Sequence, residues 1–294
     1  MHLSDRPFYT KPVNCTFSDY YADTAPLIVN REVVCNGIAT PYTELRDKSE
    51  RQKMTDFIVN EPNKYTKNVA EIHVRLDDTV EDIEAQLIHP EIIGFKCYHL
   101  LSDRNDTFNA SIGEYLPESA WYVENERGLV ITLHMVRPKA LADEDNRTYI
   151  KEMSKRYPNA TLILAHAARS FAAWTAIEYV GELASCENVW FDFSGVCESP
   201  AIVAILNKSG VSRCMWGSDW PVTMSVGKAI SIGDTFYWIG KNDFEHFNSK
   251  TEFHTWLVGT KNLMAVREAC MLTNLNEDTV EDLFYNNAAR LFKR

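Results

Sequence analysis

The sequence predicts an α/β fold, a single (β/α)₈ TIM barrel spanning residues 1–294 with an incomplete first strand, and three observations support it. From about residue 69 onward, short β-rich runs alternate with amphipathic segments, a pattern typical of βα units and a parallel sheet. The length suits one such barrel, which typically takes about 250 residues. No linker rich in Gly, Pro or Ser divides the chain, so we expect one domain.

The predicted strands are mostly continuous apolar runs, such as Thr-Leu-Ile-Leu-Ala. Strands that helices cover on their outer face lack the alternation of one-sided sheets. We place strands at residues 70–75, 92–98, 129–135, 161–166, 189–194 and 213–218. Helices are expected at residues 79–89, 118–127, 145–157, 171–183 and 200–208.

The two ends of the chain carry weaker patterns. We expect helices at residues 17–30 and 47–60, and a strand at residues 31–36. If that strand is the second of the barrel, the first must fall at or just before Met1, so that the chain starts inside it. Acidic residues at the start of segment 278–292 suit a helix N-terminus, and we expect this tail to pack on the outside of the barrel.

Composition excludes several classes of partner. A net charge of −11 argues against nucleic acids and anionic membranes, since both would be repelled. Seven cysteines, an odd number without a C-x-x-C pair, predict a reduced, cytoplasmic protein. No apolar run approaches the roughly 18 residues of a membrane-spanning helix. We expect a small-molecule substrate, and barrels of this kind often form homo-oligomers.

Three polar residues lie at the ends of predicted strands. His134 and His166 each terminate an apolar run, and Asp219 follows Cys-Met-Trp-Gly-Ser. In α/β barrels the carboxyl ends of the strands form the catalytic face. Imidazole nitrogen and carboxylate oxygen are good ligands for Zn²⁺, so we predict one divalent metal ion, zinc being favoured. The alternative, three buried polar residues or strand caps, is weaker for three residues at barrel spacing than for one.

Several short segments are similar to those of a known family. Over about residues 69–294 the chain resembles the amidohydrolase-related family, metal-dependent barrel enzymes that include hydrolases as well as aminocarboxymuconate-semialdehyde and dihydroxybenzoate decarboxylases. The strand around Asp219 and the terminal helix are the most specific parts. The matching segments are Gly94-Phe95-Lys96, Leu133-His134, Leu164-Ala165-His166, Trp-Gly-Ser-Asp-Trp-Pro at 216–221 and Asn-Ala-Ala-Arg-Leu-Phe at 287–292.

The resemblance implies roles for individual positions. It makes His134 a metal ligand, and His166 a second ligand or a group that polarises the substrate. It makes Asp219 a metal ligand that shuttles the proton of the attacking water. Lys96 occupies the position where some relatives carry a carboxylated lysine that bridges two metals. Here we expect an unmodified, substrate-facing lysine.

One departure from the family pattern concerns the first strand. Relatives carry an H-x-H pair there that supplies two metal ligands, and this sequence contains no H-x-H. The start, Met-His-Leu-Ser-Asp, resembles the second half of that motif. His2 would then be a metal ligand, and the first histidine would lie upstream of Met1. Alternatively, His2 belongs to a disordered terminus, and the metal is weakly held or lost.

Three further residues are candidates for substrate binding. Arg169, three residues after His166, could clamp a substrate carboxylate with two hydrogen bonds or form a surface salt bridge. Ser194, with Asp192, lies near a strand end where it could touch substrate or cap the next turn. His99 lies just past its strand, at the expected mouth of the barrel.

The leading functional hypothesis is a metal-dependent hydrolase. Metal-activated water would attack a lactone, ester or amide carbonyl of a small polar substrate, with Asp219 taking the proton and His166 polarising the carbonyl. The alternative is a non-oxidative metal-dependent decarboxylase of a small aromatic or unsaturated acid with the same ligands. A further alternative is a catalytically inactive family member that lacks the strand-one ligands. The long loops at residues 99–113 and 220–248 are expected to form the pocket.

Overall fold

The computed structural model describes residues 1–3, 15–28, 31, 33–61, 68–244 and 256–293. Eight parallel strands pair in sequence order to form one curled sheet, which confirms the predicted barrel fold. In addition, the His2 N–H donates to the carbonyl of Trp220, which lies after the eighth strand, at 2.7 Å. The strands are β1 (His2–Leu3), β2 (Asn36–Ala39), β3 (Val69–His73), β4 (Ile92–Cys97), β5 (Val130–Leu133), β6 (Thr161–Leu164), β7 (Val189–Asp192) and β8 (Cys214–Met215).

Helices follow most strands and cover the outer face of the sheet. The α-helical segments are α1 (Phe17–Thr24), α2 (Lys48–Asn60), α3 (Val80–Gln86), α4 (Glu118–Arg127), α5 (Glu144–Arg156), α6 (Ala165–Arg169), α7 (Ala173–Tyr179), α8 (Ser199–Ser209), α9 (Lys241–Phe244), α10 (Val258–Leu272), α11 (Glu277–Glu281) and α12 (Asn287–Leu291). Short 3₁₀ turns cover Thr43–Arg46, His99–Leu101, Thr107–Asn109, Ile112–Glu114, Ala140–Ala142, Val180–Leu183, Val211–Arg213 and Val222–Met224. In the described ranges, no helix combines the length and apolar character needed to cross a membrane. All seven cysteines are free.

The predicted loop at residues 220–248 contains an antiparallel hairpin. Its strands are β9 (Gly227–Ile232) and β10 (Thr235–Gly240), joined by a turn at Gly233, which has φ +60°. Residues 245–248 of the predicted loop lie outside the described residues. The hairpin therefore supplies a structured wall beside the carboxyl ends of the strands.

The second strand lies later in the sequence than predicted. Residues 31–36 are rich in β-formers, yet β2 begins at Asn36, because backbone hydrogen bonds to β1 fix its position: Ile38 N–H donates to Met1 O at 2.8 Å and Thr40 N–H to Leu3 O at 2.9 Å. Residue 32, and residues 29 and 30 of the predicted first helix, lie outside the described residues. That helix ends at Thr24, whereas the helix predicted at 47–60 forms as α2.

The barrel interior changes character along its axis. Its lower layer, at the end where the strands begin, is apolar and consists of Val69, Ile93, Val130, Ile163 and Met215. Above it lies a polar layer that includes Asn36, Glu71 and Thr132, which are joined by side-chain hydrogen bonds. Polar side chains are thus concentrated toward the carboxyl ends of the strands.

The close fit between neighbouring strands shows at Gly94. A Cβ atom on this residue would lie 2.0 Å from the Val130 carbonyl oxygen, far inside van der Waals contact. Glycine lets the backbone of β4 approach β5 at this point.

The C-terminal tail forms the predicted helix, in the order α11, a π turn at Asp282–Asn286, and α12. Leu283 is buried in the core between sheet and helices, while Ala288, Leu291 and Phe292 pack against the lower layer. The tail therefore lies across the end of the barrel where the strands begin. The buried Asn287 amide donates to the carbonyls of Val211 and Cys214, both at 2.8 Å.

We expect deletion of residues 280–294 to cost solubility or folding, because it uncovers the apolar lower layer. The measurements are the soluble yield and a thermal melt followed by circular dichroism. An unchanged melting profile would refute the docking of the tail.

A single substitution tests the docking of the tail with a smaller perturbation. Asn287→Ala removes the buried amide that donates to the Val211 and Cys214 carbonyls and should cost about 1–3 kcal/mol, lowering Tm by about 2–4 °C per kcal/mol. Asn286→Ala is the matched control, since the Asn286 side chain is exposed and bonds to Asp282 of its own helix.

Candidate active site

A left-handed turn carries His166 and Arg169. The backbone after β6 has φ values of 56°, 53°, 58° and 58° at residues 166–169. Left-handed helical conformation costs about 1–2 kcal/mol per L-residue, and it persists only where the surrounding structure holds it. The Ser170 N–H donates to the His166 carbonyl at 3.0 Å and closes the turn. The two predicted site residues therefore lie at opposite ends of one strained turn.

Hydrogen bonds fix the ring of His166. Its Nδ1 atom lies 3.0 Å from the carbonyl oxygen of Ser194 and 3.0 Å from the Ser194 hydroxyl oxygen. A carbonyl oxygen only accepts, so Nδ1 carries the proton in this arrangement. In the neutral ring the Nε2 atom then offers a lone pair, which is the usual state of a metal-ligating imidazole.

Asp219 lies beside both His2 and His166. One of its carboxylate oxygens is 3.2 Å from His2 Nε2. A Cβ atom placed on Gly195 would lie 3.7 Å from His166 Nδ1 and 3.8 Å from Asp219 Oδ2, so these two side chains flank the same backbone position. Burial raises the pKa of the Asp219 carboxyl, but His166, His2 and Lys96 together bring it below its usual value. The carboxylate is therefore ionised at neutral pH.

His134 follows β5 and packs among other rings. Its ring centroid is 5.2 Å from that of His166 and 4.6 Å from that of Tyr98. Burial, followed by the nearby His166 and Lys96, holds the pKa of His134 well below its usual value. Burial also lowers the pKa of His2, although Asp219 opposes the shift. Both imidazoles are neutral at pH 7, as metal ligands must be.

The donor set fits a divalent cation in its chemistry. His2, His134, His166 and Asp219 offer neutral nitrogens and an anionic oxygen, the ligand types that Zn²⁺ prefers. The structure brings them to one end of the barrel by the contacts given above. Taken over the described residues only, no three histidine, cysteine or carboxylate side chains lie close enough together to form a ready-made ligand cluster.

Lys96 points into the barrel with a partner that sequence reasoning missed. Burial lowers the pKa of Lys96, while the negative charges of Glu71, Asp219 and Asp192 oppose the shift. Glu71 is fully buried, and its Oε1 atom accepts from the Asn36 amide at 2.5 Å and the Thr132 hydroxyl at 2.9 Å. The sequence signal that could have identified Glu71 was a carboxylate inside the apolar run Val-Ala-Glu-Ile-His.

Arg169 lies in an aromatic setting near the mouth of the barrel. Its guanidinium donates to the Arg137 carbonyl at 3.1 Å and lies 5.3 Å from the ring centroid of Phe236 and 5.9 Å from that of Phe108. Among the described residues, no carboxylate lies within 4 Å of it. The surface salt bridge considered for Arg169 is thus not formed there, and the guanidinium is available to an anion.

His99 and Ser194 are engaged by the protein itself. His99 is buried, bonds to the Thr107 hydroxyl at 2.9 Å, and its ring centroid lies 4.5 Å from that of Phe108 in a tilted contact. Burial lowers the pKa of His99 to about 4. The Ser194 hydroxyl lies between His166 and Asp192. Contact of either residue with substrate stays a prediction.

A cavity of about 400 Å³ adjoins the site. Part of its wall is apolar and comes from the N- and C-terminal segments, including Val33, Phe284 and Phe292. His99, His134 and Arg169 are not among the residues that line this cavity, although the His134 ring contacts both His166 and His99. The polar wall consists of His2, Lys96, His166, Asp192, Ser194 and Asp219.

Comparison with known proteins gives relatives of two reaction types. Over a segment of 102 residues, the chain is 29% identical in sequence to the L-fucono-1,5-lactonase of Burkholderia ambifaria. This segment covers 29% of this chain and 34% of the lactonase. This match therefore spans about a third of the lactonase. Among solved structures, an amidohydrolase from Burkholderia multivorans with bound zinc aligns over 99% of this chain and 96% of its own, with a TM-score of 0.63 at 13% identity.

Two further structures share the fold. A protein assigned as a 2-pyrone-4,6-dicarboxylic acid hydrolase from Pseudomonas putida aligns over 99% of this chain and 95% of its own, with a TM-score of 0.59 at 15% identity. The 5-carboxyvanillate decarboxylase of Sphingomonas paucimobilis aligns over 88% and 78%, with a TM-score of 0.55 at 14% identity. The profile of the amidohydrolase family Amidohydro_2 matches residues 56–294. The chain belongs to this amidohydrolase family.

Proposed function

We propose that the protein is a metal-dependent hydrolase that adds water to the carbonyl of a small, carboxylated lactone, ester or amide. The observation that carries the proposal is the ionised Asp219 carboxylate, four residues after the end of β8, bonded to His2 and beside His166. The sequence likeness to a lactonase over 102 residues supports hydrolysis.

One divalent ion, zinc as in the Burkholderia multivorans relative, would be held by His2, His134, His166 and Asp219. When bound, such an ion polarises a carbonyl and lowers the pKa of water to about 7. The hydrogen bond from His166 Nδ1 to the Ser194 carbonyl supports this ligand set, because it directs the Nε2 lone pair away from the protein backbone.

Asp219 would move the proton in this reaction. Its carboxylate accepts a proton from the attacking water as the new C–O bond forms, and then returns it to the leaving oxygen or nitrogen as the old bond to carbon breaks. The carboxylate lies 3.2 Å from His2 Nε2, so the proton acceptor and a proposed ligand are adjacent. The proton that leaves the nucleophile thus ends on the leaving group, and no further reactant is required.

Recognition of an anionic substrate would depend on two cations. Arg169 has a partly buried guanidinium with donors available to an anion, and the two aromatic faces beside it limit its orientation. Lys96 lines the cavity and would donate to a second substrate oxygen. His99 and Ser194 would contact the substrate only at the margin, since both already bond within the protein.

Decarboxylation is the second candidate. The observation in its favour is the aromatic wall of Tyr98, His99, Phe108 and Phe236 around His134 and Arg169, which would suit a planar unsaturated acid. The two reactions differ in product. Hydrolysis in ¹⁸O-water places the label in the product acid, whereas decarboxylation of a ¹³C-carboxyl substrate releases labelled CO₂.

Removal of metal should abolish activity. Treatment with a chelator should stop turnover of any lactone or aromatic acid found by screening, and zinc should restore it. The matching measurement is metal content by mass spectrometry in His134→Ala and His166→Ala, which should both lose metal.

His89→Ala is the control for those variants, since His89 lies in the turn that precedes β4, at the end of the barrel where the strands begin. Full activity of a protein shown to be free of metal would contradict the proposal.

Asp219→Asn should lower kcat by about 10²–10⁴-fold while leaving the fold intact. An amide keeps the size of the side chain but cannot accept the proton of the attacking water. Arg169→Ala should cost less and should mainly raise KM, because Arg169 would only position substrate. Steady-state kinetics, metal content and a thermal melt are the measurements.

The control is Asp56→Asn, a substitution of the same type at an exposed position on α2. If Asp219→Asn keeps more than roughly a tenth of the activity with metal bound, Asp219 is not the base. The decarboxylase, or another proton acceptor, then moves ahead.

A further inference from the structure

We propose that Asp192 and Ser194 are positioning residues that select the proton position of His166. Their hydrogen bonds keep the proton on Nδ1 and so present Nε2 to the site. The proposal rests on the proposed function only in giving Nε2 a metal to bind. The selection of the tautomer itself is a property of these three side chains together with the Ser194 carbonyl.

The contacts form a continuous chain across two strand ends. Asp192 is the last residue of β7, and its Oδ1 atom accepts from the Ser194 N–H at 3.0 Å. Its Oδ2 atom accepts from the Ser194 hydroxyl at 2.5 Å. That hydroxyl oxygen lies 3.0 Å from His166 Nδ1.

Donor and acceptor roles along this chain can be assigned in one direction only. A carboxylate accepts and cannot donate, so the Ser194 hydroxyl proton points to Asp192. The Ser194 oxygen is then left as an acceptor toward His166, and Nδ1–H is the donor. The Ser194 carbonyl, also an acceptor, makes the same demand on Nδ1.

The neighbouring strand fixes the Asp192 carboxylate. A Cβ atom on Gly217 would lie 2.5 Å from Asp192 Oδ1 and 3.3 Å from the Ser194 Cβ. Any larger residue at 217 would therefore displace the carboxylate. The glycine of Trp-Gly-Ser-Asp thus has a packing reason that involves Asp192.

Turn capping alone does not account for the arrangement. The backbone bond from Ser194 N–H to Oδ1 would complete such a cap without the hydroxyl. The second carboxylate oxygen and the hydroxyl instead extend the contact to His166. A carboxylate partner that fixes the tautomer of a metal-binding histidine is a common device.

The variant Asp192→Asn tests the direction of the hydrogen bonds that run between Asp192, Ser194 and His166. With the amide oxygen kept on the Ser194 N–H, the amide NH₂ faces the Ser194 hydroxyl and donates to it. The hydroxyl proton must then turn toward His166 Nδ1, which favours a proton on Nε2. In this variant the Ser194 hydroxyl favours the Nε2–H tautomer of His166, whereas the Ser194 carbonyl still favours the Nδ1–H tautomer.

The primary measurement is ¹⁵N–¹H correlation spectroscopy of the imidazoles in metal-free protein at about pH 8, above the usual histidine pKa. The wild-type His166 signal, assigned with His166→Gln, should report the Nδ1–H tautomer. Asp192→Asn should shift it toward Nε2–H. Zinc affinity by calorimetry should fall about 10–100-fold.

A double-mutant cycle separates this role from a merely structural one. In Ser194→Ala the backbone carbonyl still holds Nδ1–H, so the tautomer should be kept. Asp192→Asn added to that variant should have no further effect on tautomer or zinc affinity, because the connecting hydroxyl is gone. Asp56→Asn again controls for loss of a carboxylate.

Two results would overturn the proposal. One is an Nε2–H tautomer in the wild-type protein, which needs no variant to observe. The other is an equal loss of zinc affinity on Asp192→Asn with and without the Ser194 hydroxyl. Both readouts are taken without substrate, so failure to find a hydrolase activity leaves them unaffected.

Discussion

The hydrogen bond from the His2 amide to the Trp220 carbonyl ties the first strand to the segment that follows β8, the segment that carries Asp219. Strand β1 pairs with β2 on its other side, with His2 opposite Ile38. A short strand held on both sides has a fixed direction, so its alternate side chains have fixed directions as well. This is how His2 meets Asp219 across 217 positions of sequence.

Isolated charges buried inside the barrel would cost folding free energy. Burial alone pushes Glu71 and Asp219 toward their neutral forms and does the same to Lys96. The barrel offsets this by placing both signs in one polar layer, with hydroxyl and amide donors on the carboxylates. Ordered charges and dipoles of this kind need little rearrangement when charge develops on a bound molecule. The interior thus stabilises charge that develops on a molecule bound at the carboxyl ends of the strands.

The sequence was sufficient for the fold, because buried parallel strands are continuously apolar. The site was predicted at the carboxyl ends of those strands, where such ends converge. His134, His166 and Asp219 were visible as polar residues that end such runs. The link from Asp192 through Ser194 to His166 was not, since it depends on the packing of two adjacent strand ends. Nor was the left-handed turn, because Ala-Ala has no preference for that conformation. The hairpin around Gly233-Asp234 did have a signal, alternating residues on either side of a turn pair.

The left-handed turn limits which residues can occupy positions 167 and 168. Both alanines are fully buried, so a larger side chain has no room and a β-branched one would also be strained at positive φ. Glycine would relieve about 1–2 kcal/mol of backbone strain, but it would forfeit about 0.8 kcal/mol of methyl burial and add about 0.4–1 kcal/mol of unfolded-state entropy. These contributions nearly cancel. Stability alone therefore does not choose between alanine and glycine here, and the stiffness of alanine is what distinguishes them. Positions 167 and 168 therefore accept few residues other than alanine and glycine.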